Sequence, residues 1–200
     1  MILPSGENSF YLDILVKDGC LGDFGEYVGK ELVEVTRDLL PLSLKREEPF
    51  ISGMSMGGYG ALRNGLKYAD TFGKIAVFAG AVHFYENSRE WVRTQGNVLG
   101  ELENFGDLDQ TESTDRNPRM LIKMLQEQNE KDGTNHFPEI YITCGEEDAL
   151  LTANRQLAEA LKEAGASVTY EPRPGRHDFN LCNENLPEVF RWLAPKTTGR

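Results

Sequence analysis

Strands and helices alternate along most of this chain, and their order restricts the fold more than any other feature of the sequence. Four apolar segments have the length of strands, and amphipathic helical patterns lie between them. One strand, predicted over 74–79, contains Ile75-Ala76-Val77-Phe78, which is apolar on both faces, as in strands buried inside a parallel sheet. The alternation predicts the α/β class, with a mostly parallel sheet flanked by helices.

The remaining elements are predicted from apolar spacing and from the residues that begin or end helices. An extended stretch over 10–16 precedes a helix whose apolar residues recur from Phe24 to Leu39 and which Pro41 ends. Asp23 and Glu26 are interpreted as the N-cap and N3 residues of that helix. The later strands are predicted over 49–52, 74–79, 139–144 and 167–171. One later helix follows the first of these strands and ends at Ala69, and two more are predicted over 152–164 and 184–193.

The connection between the second and third strands is longer than a crossover requires. It contains several loop-forming glycines and a helix opened by Asn117-Pro118. We interpret residues 83–137 as an insertion after the second core strand and expect it to form a lid over the site. The alternative is a surface decoration that does not contact substrate. The whole chain, 1–200, is predicted to form one domain.

Composition limits the partners of the chain. Acidic residues outnumber basic ones, 32 against 21, and the net charge of −11 disfavours binding to nucleic-acid phosphates or anionic lipids. No apolar run approaches the ~20 residues that span a bilayer, and the start of the chain lacks a signal-peptide pattern. We therefore expect a cytoplasmic protein that acts on a small neutral molecule. The sequence makes no prediction of oligomeric state.

Neither the cysteines nor any nucleotide motif indicates a bound group. Cys20, Cys144 and Cys182 are odd in number and include no C-x-x-C pair, so we expect free thiols in a reducing compartment. The sequence contains no metal-binding cluster, P-loop or dinucleotide fingerprint. No cofactor is therefore expected.

Residues 53–57 read Gly-Met-Ser-Met-Gly, a G-x-S-x-G pentapeptide at the predicted junction of a strand and a helix. A serine hydroxyl is a poor nucleophile near neutral pH, so it needs exposure, a neighbouring base and donors for the oxyanion. The same pentapeptide also occurs in ordinary glycine-rich turns. The apolar Phe50-Ile51 before it and the helical face after it favour the strained turn of a nucleophile. Ser55 is therefore the leading candidate.

Three histidines are candidates for the general base, and their positions relative to the sheet separate them. The site of an open parallel sheet lies beyond the carboxyl ends of its strands. His177 follows the fourth strand and shares that edge with Ser55, whereas His136 precedes the third strand and should lie at the opposite edge. His83 follows the second strand and stays a candidate for a pocket wall or substrate contact. As the base, however, it would precede every plausible acid.

Asp148 is the leading candidate for the acid that orients the imidazole, because it follows the third strand at the same edge. Glu146 and Glu147 are close alternatives that we expect to point to solvent. Asp178 is a poorer alternative, because it adjoins His177 and neighbouring side chains seldom reach back to orient each other.

The segment over 50–61, FISGMSMGGYGA, closely resembles the nucleophile segment of the esterase D group of α/β-hydrolases. That group includes tributyrin-type and acetyl esterases, feruloyl esterases and S-formylglutathione hydrolases. The resemblance extends over most of the chain, through segments at 31–32, 45–47, 144–148 and 175–177. It implies a serine carboxylic ester hydrolase for short acyl esters that acts through an acyl-enzyme. By this resemblance Ser55, Asp148 and His177 are nucleophile, acid and base, and the Met56 backbone N–H is one oxyanion donor.

The chain departs from the esterase D group at its beginning. Members of the group carry N-terminal strands and a His-Gly loop that supplies the second oxyanion donor, and residues 1–4 look like only the tail of the fourth family strand. The sequence therefore looks N-terminally truncated. Two alternatives to an ester hydrolase stay open: a non-catalytic remnant or binding module, and an S-formylglutathione hydrolase-like thioesterase or acyltransferase.

Overall fold

Four parallel strands form a sheet with the strand order β1-β2-β3-β4. The computed structural model describes residues 1–13, 22–82, 93–94 and 111–194. In these residues β1 is Phe50–Met54, β2 is Lys74–Phe78, β3 is Glu139–Thr143 and β4 is Val168–Tyr170. Each strand lies within two residues of its predicted limits, and the predicted parallel sheet is confirmed.

Helices follow the strands along the chain, as the alternation predicts. Helix α1 consists of an α-helical turn, a π-helical turn and a longer α-helical part, and a 3₁₀ turn at Thr111–Ser113 precedes α3. The described helices are α1 (Phe24–Glu26, Tyr27–Glu31 and Leu32–Leu39), α2 (Met56–Lys67), α3 (Pro118–Asp132), α4 (Leu151–Glu163) and α5 (Phe179–Leu193). None of them is long and apolar enough to cross a bilayer.

Both faces of the sheet are covered by apolar side chains, and alternate residues of β2 face opposite sides. Ile75 and Val77 pack in the larger core, with residues of α2, α3 and α4, while Ala76 and Phe78 pack against the α5 side. The other residues of the larger core include Leu62, Leu66, Leu121, Ile122, Ile140, Ile142, Leu157 and Leu161. This two-sided burial explains why the strand is apolar at every position.

Helix α1 corrects the predicted N-cap. The Asp23 side chain makes no capping hydrogen bond. The backbone N–H of Glu26 donates instead to Oδ1 of Asp13, at 2.7 Å. A carboxylate eleven residues before the first residue of the helix therefore satisfies one of its first N–H groups, which local sequence spacing could not indicate.

The apolar stripe predicted for α1 is only partly buried. Val28 is buried, but Val35 and Leu39 are 52% and 75% exposed. Val28 lies within the π-helical turn Tyr27–Glu31, whose wider repeat rotates the residues after it away from the face that carries Val28. The helix does end at Leu39, just before Pro41, as predicted.

Two predictions at the ends of the chain also differ from the structure. Phe10 and Tyr11 have φ values of 51° and 55°, so the stretch predicted to be extended over 10–16 begins with a turn, although Asp13 forms an isolated β-bridge with Asp23. Helix α5 begins at Phe179, five residues before its predicted start. Asp178 caps it, because its Oδ1 accepts from the N–H groups of Asn180 and Leu181 at 2.9 and 3.3 Å.

Only 93–94 and 111–137 of the predicted insertion lie within the described residues. Asn117 caps α3 as expected, with its Oδ1 accepting from the Arg119 N–H at 2.8 Å. Leu121 and Leu125 of this helix are buried in the larger core. The remainder of the segment, including His83, lies outside the described residues, and its role as a lid stays a prediction.

Candidate active site

Ser55 alone connects β1 to α2, since the strand ends at Met54 and the helix begins at Met56. Its φ and ψ angles are 55° and −117°, a conformation that is unfavourable for a residue with a side chain. The backbone is fixed on both sides: the Ser55 N–H donates to Phe78 O, and the Ser55 carbonyl accepts from Ala81 N–H, both at 3.0 Å. The strained turn is therefore held by the last residue of β2 and by Ala81 shortly after it.

The first glycine of the pentapeptide is required by close packing of the strand end against the helix. A Cβ atom at Gly53 would lie 2.3 Å from the carbonyl oxygen of Gly57. A Cβ at Gly57 would instead meet only an ordinary contact, 4.0 Å from the Tyr11 ring. Of the two glycines of the pentapeptide, only Gly53 lacks room for a side chain.

His177 connects the other two predicted site residues. It lies in the loop between β4 and α5, with Nε2 at 2.9 Å from Ser55 Oγ and Nδ1 at 2.7 Å from Asp148 Oδ2. With the proton on Nδ1, the ring donates to the carboxylate and its Nε2 accepts from the serine hydroxyl. The three side chains form one continuous line of hydrogen bonds.

The acid and the imidazole of this line differ in exposure. The Asp148 side chain is 1% exposed, whereas that of His177 is 38% exposed. The second carboxylate oxygen of Asp148, Oδ1, accepts from the Leu150 N–H at 2.8 Å. The buried carboxylate therefore has a partner on each oxygen, and the imidazole is accessible beside Ser55.

Backbone hydrogen bonds beyond the strand ends bring the Asp148 and His177 loops together. Arg173 N–H donates to Cys144 O at 3.0 Å, and Glu146 N–H donates to Arg173 O at 2.8 Å. One step further, Glu147 N–H donates to Gly175 O at 3.0 Å. The β3–β4 pairing thus continues into both loops. Edge position in the sequence predicted that the loops meet, but it did not indicate this pairing.

The competing candidates lie elsewhere. Glu146 and Glu147 are exposed, as predicted, and Glu147 pairs with Arg176. Asp178 caps α5. His136 precedes β3, and its Nε2 lies 2.7 Å from Oδ2 of Asp132 at the opposite edge of the sheet. Of the described candidates, the structure brings only Asp148 and His177 to Ser55.

The described cysteines are free thiols held in the neutral form. Burial, followed by the charge of nearby Asp148, raises the pKa of Cys144 to about 12. Burial likewise raises the pKa of Cys182 to about 11. Because the thiolate is the reactive form, neither competes with Ser55 as a nucleophile. Within the described ranges no cluster of three His, Cys, Asp or Glu residues could hold a metal ion.

Met56 is the first residue of α2, and its N–H follows Ser55 directly. The first N–H groups of a helix have no acceptor within the helix, and the helix dipole makes this end positive. The Met56 N–H is therefore suited to receive a negative oxygen formed at Ser55.

Sequence reasoning missed one buried polar residue near this edge, Asn154. Its side chain bonds the backbone of Gly80 and of Leu150. It lies three residues before Leu157 and seven before Leu161, on the predicted apolar face of α4. A polar residue at a core position of an amphipathic helix is the signal that could have identified it.

Comparison with protein families supports the chemistry that this geometry allows. Residues 16–193 match the Esterase family model, described as "Putative esterase". An acetyl esterase of Caldicellulosiruptor saccharolyticus is 38% identical over 197 residues, which cover 97% of this chain and 71% of that protein. The similarity thus extends through all the candidate residues.

Two solved structures of hydrolases from Staphylococcus aureus are similar to this chain. Fluorophosphonate-binding serine hydrolase F (FphF) of Staphylococcus aureus is similar with a TM-score of 0.80 and 23% identity, over 96% of this chain and 70% of that one. The S-formylglutathione hydrolase FrmB of Staphylococcus aureus gives a TM-score of 0.72 and 22% identity, over 94% and 68%. At these identities the similarity shows a shared α/β-hydrolase fold.

Proposed function

We propose that this chain, which belongs to the Esterase family and is a carboxylic ester hydrolase, cleaves short-chain acyl esters through an acyl-enzyme formed on Ser55. In this proposal His177 is the general base and acid, Asp148 orients it, and the Met56 N–H is one oxyanion donor.

The observation that carries the proposal is the position of the His177 ring between Ser55 and Asp148. Its two nitrogens lie 2.9 Å from Ser55 Oγ and 2.7 Å from Asp148 Oδ2. Both distances are within the hydrogen-bond reach that a base and its orienting acid require. A serine hydroxyl in this arrangement can lose its proton as it attacks.

Acylation begins when Ser55 Oγ attacks the ester carbonyl carbon and His177 Nε2 accepts the hydroxyl proton. The carbonyl oxygen becomes an oxyanion, to which the Met56 N–H donates. The ester C–O bond then breaks, and the alcohol leaves with the proton returned by His177. Asp148 stays ionised and stabilises the imidazolium while it carries that proton.

Deacylation repeats the same steps with water. His177 Nε2 takes a proton from water, whose oxygen attacks the acyl carbon bound to Ser55. The bond between Ser55 Oγ and the acyl carbon breaks, and the proton on His177 returns to Oγ. The products are a carboxylic acid and the free enzyme.

A short acyl group is supported by the name of the 38% identical relative, an acetyl esterase. The net charge of the chain, −11, also disfavours strongly anionic substrates. We therefore expect acetyl and butyryl esters of neutral alcohols to be cleaved faster than long-chain esters.

A fluorophosphonate probe followed by peptide mass mapping tests the nucleophile directly, because only an activated serine reacts with it. We expect stoichiometric labelling at Ser55, together with release of p-nitrophenol from acetyl and butyryl esters. Labelling at a different serine, or unchanged turnover in Ser55→Ala, would contradict the proposal.

A parallel measurement with S-formylglutathione separates ester from thioester hydrolysis. We expect kcat/KM for p-nitrophenyl acetate to exceed that for S-formylglutathione. The reverse order would assign the same three side chains to thioester hydrolysis and would leave the acyl-enzyme step in place.

A further inference from the structure

Asn154 is fully buried in α4, and all three of its side-chain hydrogen bonds go to backbone atoms. Its Nδ2 donates to the carbonyl oxygens of Gly80 and Leu150, both at 2.9 Å. Its Oδ1 accepts from the Gly80 N–H at 3.1 Å. The Asn154 amide thus bonds both the N–H and the carbonyl of Gly80, and it also bonds the carbonyl of Leu150, just before α4.

Gly80 belongs to the turn that holds the backbone of Ser55. The residues on either side of this turn, Phe78 and Ala81, bind the N–H and the carbonyl of Ser55, both at 3.0 Å. Gly80 also packs closely behind the nucleophile turn, because a Cβ placed on Gly58 would lie 2.9 Å from the Gly80 Cα. A shift of Gly80 must therefore move the residues that hold Ser55.

Leu150 connects the same side chain to the proposed acid. The Leu150 N–H donates to Asp148 Oδ1 at 2.8 Å, while its carbonyl accepts from Asn154 Nδ2. The backbone N–H of Asn154 donates to that carbonyl too, at 3.0 Å. Asn154 therefore stands between the loop that carries Asp148 and the turn that holds Ser55.

We propose that Asn154 is a positioning residue that sets the distance between the Ser55 turn and the Asp148 loop, and so keeps Ser55 Oγ in reach of His177. The inference rests on the proposed function, since it concerns the same nucleophile and base. The argument is geometric: the polar contacts of Asn154 end on the two segments that must stay in register. A displacement of about 1 Å in such a site lowers the rate by about 10²-fold.

Asn154 could either position the Ser55 turn relative to the Asp148 loop or only provide hydrogen-bond partners for the buried backbone groups of Gly80 and Leu150. Two substitutions distinguish these roles. Asn154→Ala removes all three side-chain hydrogen bonds. Asn154→Gln keeps the amide but moves it by one methylene, so it still offers partners to Gly80 and Leu150 from a displaced position. If Asn154 only satisfies those groups, the glutamine variant loses stability through overpacking of a fully buried site but should retain kcat.

Asn117 provides the matched control. It is also buried, and it also joins two backbone segments, because its Nδ2 donates to Glu112 O at 2.8 Å and its Oδ1 accepts from Arg119 N–H at 2.8 Å. Neither segment contacts Ser55, Asp148 or His177 through the described hydrogen bonds. Asn117→Ala should therefore lower stability and leave kcat unchanged.

The experiment measures kcat and KM for p-nitrophenyl acetate and the second-order rate of fluorophosphonate labelling, at a temperature at which each variant is folded. For Asn154→Ala and Asn154→Gln we expect both kcat and the labelling rate to fall by about 10- to 100-fold, with KM nearly unchanged. If the alanine variant does not fold, the glutamine variant supplies the same measurements.

Amide hydrogen exchange gives a readout that does not depend on catalysis. Asn154 binds the Gly80 amide directly but does not touch the amides of Ser55 and Ala81. Positioning predicts faster exchange at all three amides in the Asn154 variants. Faster exchange at Gly80 alone would overturn the inference.

The outcomes also distinguish this inference from the proposed function. A wild-type protein that the probe does not label at Ser55 refutes the proposed function and the inference together. A wild-type protein labelled at Ser55, with Asn154 variants labelled at the same rate, refutes only the inference.

Discussion

Two aspartate–histidine pairs among the described residues have the same separation and very different surroundings. His177 Nδ1 lies 2.7 Å from Asp148 Oδ2, and His136 Nε2 lies 2.7 Å from Asp132 Oδ2. The first pair lies beyond the carboxyl ends of the strands, and the second lies between the end of α3 and the start of β3. Distance alone does not separate them.

What separates the pairs is the burial of the acid and the presence of a third partner. Asp148 is 1% exposed and His177 contacts Ser55, whereas Asp132 is 43% exposed and both members of its pair belong to one local helix end. An exposed carboxylate is screened by water and holds its partner weakly. The Asp–His distance therefore does not distinguish His177, the proposed base, from His136; the burial of Asp148 and the contact with Ser55 do.

The largest loss of activity is expected from removing Ser55, which contacts His177 and has no counterpart beside His136 in the described hydrogen bonds. Ser55→Ala leaves the His177–Asp148 pair intact but without a nucleophile, so the site should resemble the His136–Asp132 pair. We expect kcat for p-nitrophenyl acetate to fall on the order of 10⁶-fold. Steady-state kinetics with freshly purified protein measures this loss, and a residual rate near that of the wild type would contradict it.

The next largest loss is expected when Asp148, and not Asp132, is replaced by asparagine. Asp148→Asn keeps the shape of the side chain but removes the charge that stabilises the imidazolium. Its amide oxygen keeps the Leu150 N–H, so the amide NH2 faces His177 Nδ1 and favours the wrong tautomer, and we expect kcat to fall about 10⁴-fold. Asp132→Asn is the matched control, for which activity should stay within about twofold of the wild type. Equal losses in the two variants would show that burial of the acid is irrelevant.

Burial around Asp148 also predicts the reactivity of a neighbouring thiol. Burial, followed by the Asp148 charge, raises the pKa of Cys144 to about 12. Very little thiolate is therefore present near neutral pH, and iodoacetamide should leave Cys144 unmodified in the folded protein. Peptide mass mapping with and without denaturant checks this, and rapid modification of Cys144 in the native state would contradict it.

The smallest effect concerns the acid dependence of the exposed pair. The backbone hydrogen bond from Thr134, followed by the side chain of His136, lowers the pKa of Asp132 below 3.8. Because the folded pKa is the lower one, this carboxylate contributes stability above the unfolded pKa and loses it as the pH falls through the folded value. Urea unfolding should therefore show a wild-type advantage over Asp132→Asn that shrinks below about pH 4.

The same comparison explains which parts of the site the sequence could predict. The order of strands and helices places Ser55, Asp148 and His177 at one edge and His136 at the other, because parallel strands share their direction. Residue spacing was enough for that conclusion. It could not predict the pairing of the Asp148 and His177 loops, since those hydrogen bonds join backbone atoms whose residue types are unrestricted.

The remaining differences have a similar origin in contacts between distant residues. Asp13 replaces Asp23 as the acceptor for the first turn of α1, and the π-helical turn Tyr27–Glu31 changes which later residues are buried. In the sequence, Asn154 is only a polar residue on the apolar face of a predicted helix. Its partners at Gly80 and Leu150 become visible only when the loops are assembled.

The four parallel strands, in the order β1-β2-β3-β4, all end at the same edge of the sheet. The connections that leave this edge differ in what they contribute to the candidate site. The chain leaving β1, β3 and β4 carries Ser55, Asp148 and His177 in turn. The chain leaving β2 supplies the backbone that holds Ser55 and then continues into the long segment that begins at residue 83. Because that segment connects only β2 to β3, a change in its length would leave the strand order unchanged, and with it the edge at which the three candidate residues lie.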